Sequence, residues 1–259
     1  MLEITDVHFS YGTRPVLQGV SLQVNQGEMV GLVGPNGSGK TTLLKLASGL
    51  LRPDAGAIRI QGQEVSYLRP SDKAKLVAVV PQNPALPQNF TAHELVLMGR
   101  TPHLKLLQVE DWHDLDVTRE AMELTGTWEF ADRAIGTLSG GERQKVLMSR
   151  SLAQEAPLLL LDEPTASLDL AHEIQVMDLV SNLQTRRKGA ILMAIHNLTL
   201  AAQYCRRLIM LHQGKVVAEG SPEEVLTGKI ISEVYEAQVH ILAHPQHGTP
   251  VVLLHRQSR

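Results

Sequence analysis

Gly34-Pro35-Asn36-Gly37-Ser38-Gly39-Lys40-Thr41 is the run whose reading decides the fold. It fits G-x-x-x-x-G-K-[ST], the spacing of a phosphate-binding loop. Its flanks supply the context that the motif requires. Met29-Val30-Gly31-Leu32-Val33 is an apolar run of strand length, and Thr42-Leu43-Leu44-Lys45-Leu46-Ala47 begins a helical pattern. Glycines let successive backbone N–H groups curl around a phosphate chain, and the following helix aims its positive end at the same anion. In that frame Lys40 reaches the β- and γ-phosphates and the Thr41 hydroxyl ligates Mg²⁺. The cradle is expected to run from Gly34 through Pro35, Asn36, Gly37, Ser38, Gly39, Lys40 and Thr41 to Thr42. A bland strand–helix turn would not require Lys-Thr after the last glycine.

Downstream, Leu158 to Leu161 reads as a buried strand that delivers Asp162 and Glu163 at its C-terminal end. Neighbours along a strand point to opposite sides, so the two acids can hold different jobs. Asp162 is expected to coordinate Mg²⁺, directly or through water, and Glu163 to polarise an attacking water. The plain alternative is a solvated acidic turn.

Composition bounds the rest. The chain has 259 residues, 43% of them hydrophobic, enough for one large α/β domain or one with an inserted lobe. No stretch is long and apolar enough to span a bilayer. The start, Met1-Leu2-Glu3-Ile4-Thr5-Asp6, carries acids where a secretory leader wants cations. A net charge of −3 with few aromatics argues against a nucleic-acid surface, and Cys205, the single cysteine, forms no internal disulfide.

The expected organisation is an α/β core with a mostly helical lobe inserted at 83–155. Residues 1–30 read as short strands and turns, and 40–51 as the first helix. Leu76 to Val80 reads as a buried strand. Thr91-Ala92-His93-Glu94 matches a capping box opening a helix through Met98. Residues 99–111 read as an exposed connection and Asp114 to Leu124 as an amphipathic helix. Ser139 starts a further helix, which Pro157 must terminate. The core then resumes with helices at 170–187 and 198–205 and strands at 190–195, 208–211 and 215–218. Ser221-Pro222-Glu223-Glu224 opens another helix, and two short apolar runs flank His247-Gly248-Thr249-Pro250.

Leu138-Ser139-Gly140-Gly141-Glu142, taken with Asp162-Glu163-Pro164-Thr165 and the Lys-Thr loop, resembles the signature of the ABC-type ATPases. The motifs run in the family's order from Tyr11 to about Gly220. The resemblance implies a P-loop NTPase core of mixed, mainly parallel sheet with an antiparallel β subdomain. Tyr11 is similar to the aromatic that stacks on adenine. Gln82 is similar to the glutamine that joins core to lobe, senses the nucleotide and meets Mg²⁺ beside Thr41 and Asp162. Ser167-Leu168-Asp169 resembles the loop lining the dimer seam, and His196 the switch histidine on the γ-phosphate. Ser139, Gly140 and Gly141 resemble a second γ-phosphate cradle, which covers the ATP of a partner copy. Alone, Ser139 and Glu142 read equally well as a capping box.

Two positions depart from the family pattern. Glu142 stands where glutamine is usual; at N3 it is expected to face the cap. Asn197 stands where an aspartate often follows the switch histidine, which loosens a contact without removing a catalytic group. One loop and one signature per chain imply a homodimer for two complete sites. Transport then implies integral membrane permease subunits and, indirectly, a substrate-binding protein, with the ATPase peripheral at the cytoplasmic face and no nucleic acid. Leu97 to His103 and the short tail resemble the ATPases of iron-chelate, haem and cobalamin uptake, so a charge reversal at Arg100 is expected to damage transport and spare basal hydrolysis. The alternatives are a soluble ABC-type ATPase of iron–sulfur cluster assembly, and more weakly a nucleic-acid or ribosome remodeller.

Overall fold

The structure, a computed structural model, describes residues 1–105, 107–166 and 168–255. In chain order its first elements are β1 (Leu2–Tyr11), β2 (Arg14–Val24), β3 (Met29–Val33), α1 (Lys40–Ala47), β4 (Ala55–Ile60) and β5 (Gln63–Glu64). Then come α2 (Pro70–Leu76), β6 (Val77–Val80), α3 (Ala92–Leu97), α4 (Trp112–Thr125), α5 (Gly140–Ala153), β7 (Leu158–Asp162) and α6 (Leu170–Arg187). The remainder is β8 (Ala190–Ala194), α7 (Leu198–Tyr204), β9 (Arg207–His212), β10 (Lys215–Gly220), α8 (Pro222–Val225), α9 (Gly228–Tyr235), β11 (Val239–Ala243) and β12 (Pro250–Leu254). The chain divides into two compact units, residues 1–66 with 190 onward, and residues 67–189.

The first unit holds two kinds of sheet. β2, β1, β4 and β5 pair antiparallel in that order. Leu2, Ile4, Val7 and Phe9 of β1 are buried while their neighbours Glu3, Thr5 and His8 are exposed, the alternation of a strand with one covered face. β3 instead pairs in parallel with β8 and β9, with Gly31 opposite Met193 and Leu208. All five residues of β3 and of β8 are buried, as continuous apolar runs covered on both faces should be. β3 ends at Val33, and the chain turns at once into the phosphate loop. β11 and β12 join the two apolar runs of the tail as an antiparallel hairpin, which Thr199 Oγ1 holds by accepting from Val252 N–H at 3.1 Å.

Cys205, just after α7, is buried in this unit, and burial pushes its thiol up to about 12. The thiolate is the reactive form, so the native protein is expected to resist iodoacetamide at pH 8 for hours. One equivalent should react once guanidinium unfolds the chain. Native labelling within minutes would show that α7 opens.

In the second unit β6 and β7 run parallel, Val77 opposite Leu158 through Val80 opposite Leu161. Every residue of β7 is buried, whereas Val79 of β6 is 39% exposed, so β6 is not the fully buried strand expected. The helices α3, α4 and α5 open with capping boxes, at Thr91 with Glu94, Asp111 with Asp114, and Ser139 with Glu142. Helix α5 ends at Ala153, before Pro157 could stop it. Glu155 adopts a left-handed backbone, φ 53°, and Gln154 Nε2 donates to Ala74 O and Val77 O, so backbone geometry terminates the helix first.

The expected exposed connection after α3 is corrected. Met98–His103 forms a 3₁₀ turn in which Gly99 and Arg100 are buried, Arg100 to 2% exposure. Arg100 Nε donates to Asp114 Oδ1 at 2.9 Å; its Nη1 donates to Ala153 O and Glu155 Oε2, each at 2.7 Å. Burial would raise the Asp114 carboxyl, but Arg100 and the Asp111 N–H outweigh it and hold the group below its ordinary range. An arginine in a sequence reads as surface by default; here one cation serves three acceptors, which is what makes its burial tolerable.

Candidate active site

The expected site residues fall in both units, and each group stands on its own geometry. In the first unit the phosphate loop runs from β3 to α1. Gly34 has φ 150° and Gly39 φ 108°. A side chain at Gly34 would run into the Leu211 carbonyl and Ser38 Oγ, and one at Gly39 into Leu17 Cδ2 at 2.6 Å. Both positions therefore need glycine on conformation and on space. The loop is tied down by Ser38 N–H to Pro35 O and Gly214 N–H to Ser38 O, each at 3.2 Å. Asn36 and Gly37 are exposed at its tip, while Ser38, Lys40 and Thr42 are buried.

Three features make this loop fit an anion. Helix α1 starts at an N-cap glycine, without a side-chain cap and without an acid in its first turn. An acid or a side-chain cap in that turn would compete with a bound anion for the helix's terminal N–H groups. Lys40 is folded back over the loop, its Nζ donating to Gly34 O at 2.7 Å and Pro35 O at 3.1 Å. The Ser38 hydroxyl is buried with no hydrogen-bond partner among the described residues, an orphaned donor in the cradle itself. Tyr11, at the end of β1, is 48% exposed with its ring edge-on to Phe9, which leaves it a face to offer. His196 follows β8 and is exposed. Asn197 next to it caps α7 by accepting from Leu200 N–H at 3.2 Å, work that asparagine does as well as aspartate.

In the second unit β7 ends in Asp162, buried to 7%, and Glu163, half-buried and in the left-handed region at φ 48°. That backbone is uncommon outside glycine, and such residues gather at functional sites. Gln82 Nε2 donates to Glu163 Oε2 at 2.7 Å, so the structure brings these two expected catalytic residues together. The bond leaves the Gln82 amide oxygen available as an acceptor. Gln82 oxygen, the Asp162 carboxylate and the Thr41 hydroxyl are all hard oxygen donors, the chemistry that suits Mg²⁺.

The signature heads α5. Ser139 Oγ accepts from Glu142 N–H at 3.2 Å, and Ser139 N–H donates to Glu142 Oε2 at 2.6 Å. Glu142 faces the cap, as its position at N3 led one to expect. The Ser139 N–H holds its carboxyl below the ordinary range, with Arg133 adding to the effect. Ser139 N–H serves Glu142 and so does its side chain, so an anion here is left the Gly140 and Gly141 N–H groups. Ser167 of the expected seam loop lies outside the described residues; Asp169 from the same loop caps α6. Two contributors escaped the sequence reading, the Val16–Leu17 wall of β2 beside Gly39 and His172 against Gly141. The first carries no local signal, since it arises from a distant contact. The second had only a faint one, a histidine three residues after a capping aspartate.

The family model described as ABC transporter matches residues 17–166, more than half of the chain. The cobalamin import ATP-binding protein of Halobacterium salinarum is 40% identical over 97% of this chain. The chain spans 63% of that relative's length. The iron(3+)-hydroxamate import ATP-binding protein of Bacillus subtilis is 38% identical over 97% of this chain and 94% of its own. Among solved structures, a metal-chelate type ABC transporter in an inward-facing conformation matches with TM-score 0.87 and 25% identity, covering 99% of this chain and 98% of its own. A dimeric ATP-binding cassette in a post-hydrolysis state, bound to ADP and Pi, matches with TM-score 0.75 and 26% identity over 86% of this chain and 99% of its own. The chain belongs to the ABC transporter family.

Proposed function

We propose that this chain is the ATP-hydrolysing subunit of a membrane importer for a metal chelate of the iron-siderophore, haem or cobalamin class. The observation that carries the reading is the uncapped start of α1 at Gly39 with Lys40 Nζ folded over the Gly34 and Pro35 carbonyls. An anion drawn to those N–H groups offers Lys40 a charged partner, and the side chain swings to it. Near-full-length similarity to an iron-hydroxamate import subunit supports the substrate class. No helix among the described residues is long and apolar enough to cross a membrane. Import therefore calls for separate permease subunits, which the helical lobe at 83–155 contacts at the cytoplasmic face, and a substrate-binding protein beyond them.

The roles follow from the chemistry of each group. Tyr11 stacks on the adenine, Gly34 to Thr42 cradle the phosphates, and Lys40 neutralises the β- and γ-oxygens. Thr41, Asp162 and Gln82 are the oxygen donors that would hold Mg²⁺, which would supply charge neutralisation for the phosphates. Glu163 takes the proton of the attacking water, and Gln82, bonded to that carboxylate, aligns it. His196 donates to the γ-phosphate. Two chains related by a two-fold axis each present Ser139, Gly140 and Gly141 to the partner's ATP. The ligand bridges the seam, so ATP closes the pair and hydrolysis opens it.

Lys40→Ala tests the reading directly. Turnover is expected to fall about 10²–10³-fold, the usual loss when one preorganised charge stabiliser is removed. ATP affinity, followed with a fluorescent analogue, should weaken as well. Hydrolysis at the parent rate would overturn the proposal.

A further inference from the structure

We propose that His172 is a positioning residue which braces the signature end of α5 against the loop that precedes α6. The inference rests on the dimeric reading above and deepens it. His172 stands at N3 of α6. Asp169 Oδ1 accepts from His172 N–H at 2.9 Å and from ring Nδ1 at 2.7 Å. The His172 N–H, followed by the ring, holds the Asp169 carboxyl below its ordinary range, so at neutral pH it is ionised and can only accept. Nδ1 must then carry the hydrogen. That one bond fixes the tautomer and the ring's orientation, and leaves Nε2 on the far side.

The far side of the ring lies on Gly141. A Cβ added at Gly141 would stand 2.5 Å from His172 Cδ2, 3.1 Å from Cγ and 3.2 Å from Nε2. The ring therefore occupies the space that any other residue at position 141 would fill. One turn along, Lys145 Nζ donates to Gln175 Oε1 at 2.9 Å and ties the same two helices again. The His172 side chain is 41% exposed, so its burial adds little to the core. What it does is geometric. It holds the Gly140 and Gly141 N–H groups at a fixed setting relative to Asp169, and both segments are the ones proposed to face the partner copy.

The test uses full-length protein in two measurements. The first is hydrogen exchange of amides 140–143 without nucleotide. The second is the ATP concentration for half-maximal dimerisation in a Glu163→Gln background, read by light scattering. His172→Ala is expected to speed exchange about tenfold and to raise the ATP requirement about tenfold, the loss of one hydrogen bond to a charged group. His172→Asn places an amide N–H near Nδ1 and should restore both to within about twofold. Gly141→Ala displaces the ring and should speed exchange like His172→Ala. Unchanged exchange in His172→Ala overturns the proposal, and so does an asparagine variant as impaired as the alanine one. If Glu163→Gln alone forms no dimer, the dimeric reading fails instead. The exchange measurement still decides the brace, faster exchange supporting it and unchanged exchange overturning it.

Discussion

Glu163→Gln is expected to slow ATP turnover about 10²–10⁴-fold, the range that a general base contributes. The substitution is conservative at each level except proton transfer. Glutamine keeps an oxygen that can accept from Gln82 Nε2, the bond now 2.7 Å long. It is no worse suited than glutamate to the left-handed backbone at φ 48°, so no new strain enters. What it lacks is a group that takes a proton. With Glu163 beside the γ-phosphate as proposed, removing its charge also lifts a repulsion, so ATP should bind at least as well. With ATP and Mg²⁺ the variant should therefore accumulate as a closed dimer, seen by size-exclusion chromatography with light scattering. Asp162→Asn should lose Mg²⁺-dependent dimerisation together with hydrolysis. If Glu163→Gln kept more than about a tenth of the parent rate, outside the general-base range, the proton would have to go to another group. His196 would be the next candidate.

What the sequence disclosed follows from how local each signal is. The phosphate loop and its flanking strand and helix are contiguous, so residues 29–47 contain nearly all the information needed to place them. The capping boxes at Thr91 and Ser139 span four residues and emerged as expected. Helix α9 was missed because it opens on Gly228, a poor helix former, and runs only eight residues under its Thr227 cap. The tail hairpin was seen only as two apolar runs, since its register depends on pairing Val239 with Leu254, fifteen residues on. The site divides the same way. Residue types such as Lys40, Asp162 and Glu163 announce their chemistry. The Gln82–Glu163 bond spans 81 positions, and no periodicity foretells it. Even Glu142, legible as a cap, concealed its effect on Ser139, whose N–H it takes from any anion.

Arg100→Glu is expected to destabilise the protein outright, in place of the selective transport defect expected of a segment outside every phosphate motif. Arg100 is 2% exposed and serves Asp114, Glu155 and the Ala153 carbonyl at once. Removing one member of a buried ion pair costs about 3–5 kcal/mol, because the remaining charge has no water to turn to. Glutamate does more than remove the cation. It sets a third carboxylate among two others and points a negative group at the C-terminal end of α5, where the helix dipole is already negative. At about 2–4 °C per kcal/mol for a chain of this size, the melting temperature should drop on the order of 10 °C. The damage should reach hydrolysis as well as uptake, since α5 carries the signature at its other end. Arg100→Met combined with Asp114→Asn removes both charges and keeps an acceptor for the α4 cap, so it should recover part of the loss. Differential scanning calorimetry on the three proteins decides the matter. An Arg100→Glu variant melting within about 2 °C of the parent, with hydrolysis intact, would mean that the side chain reaches water and the segment is a surface after all.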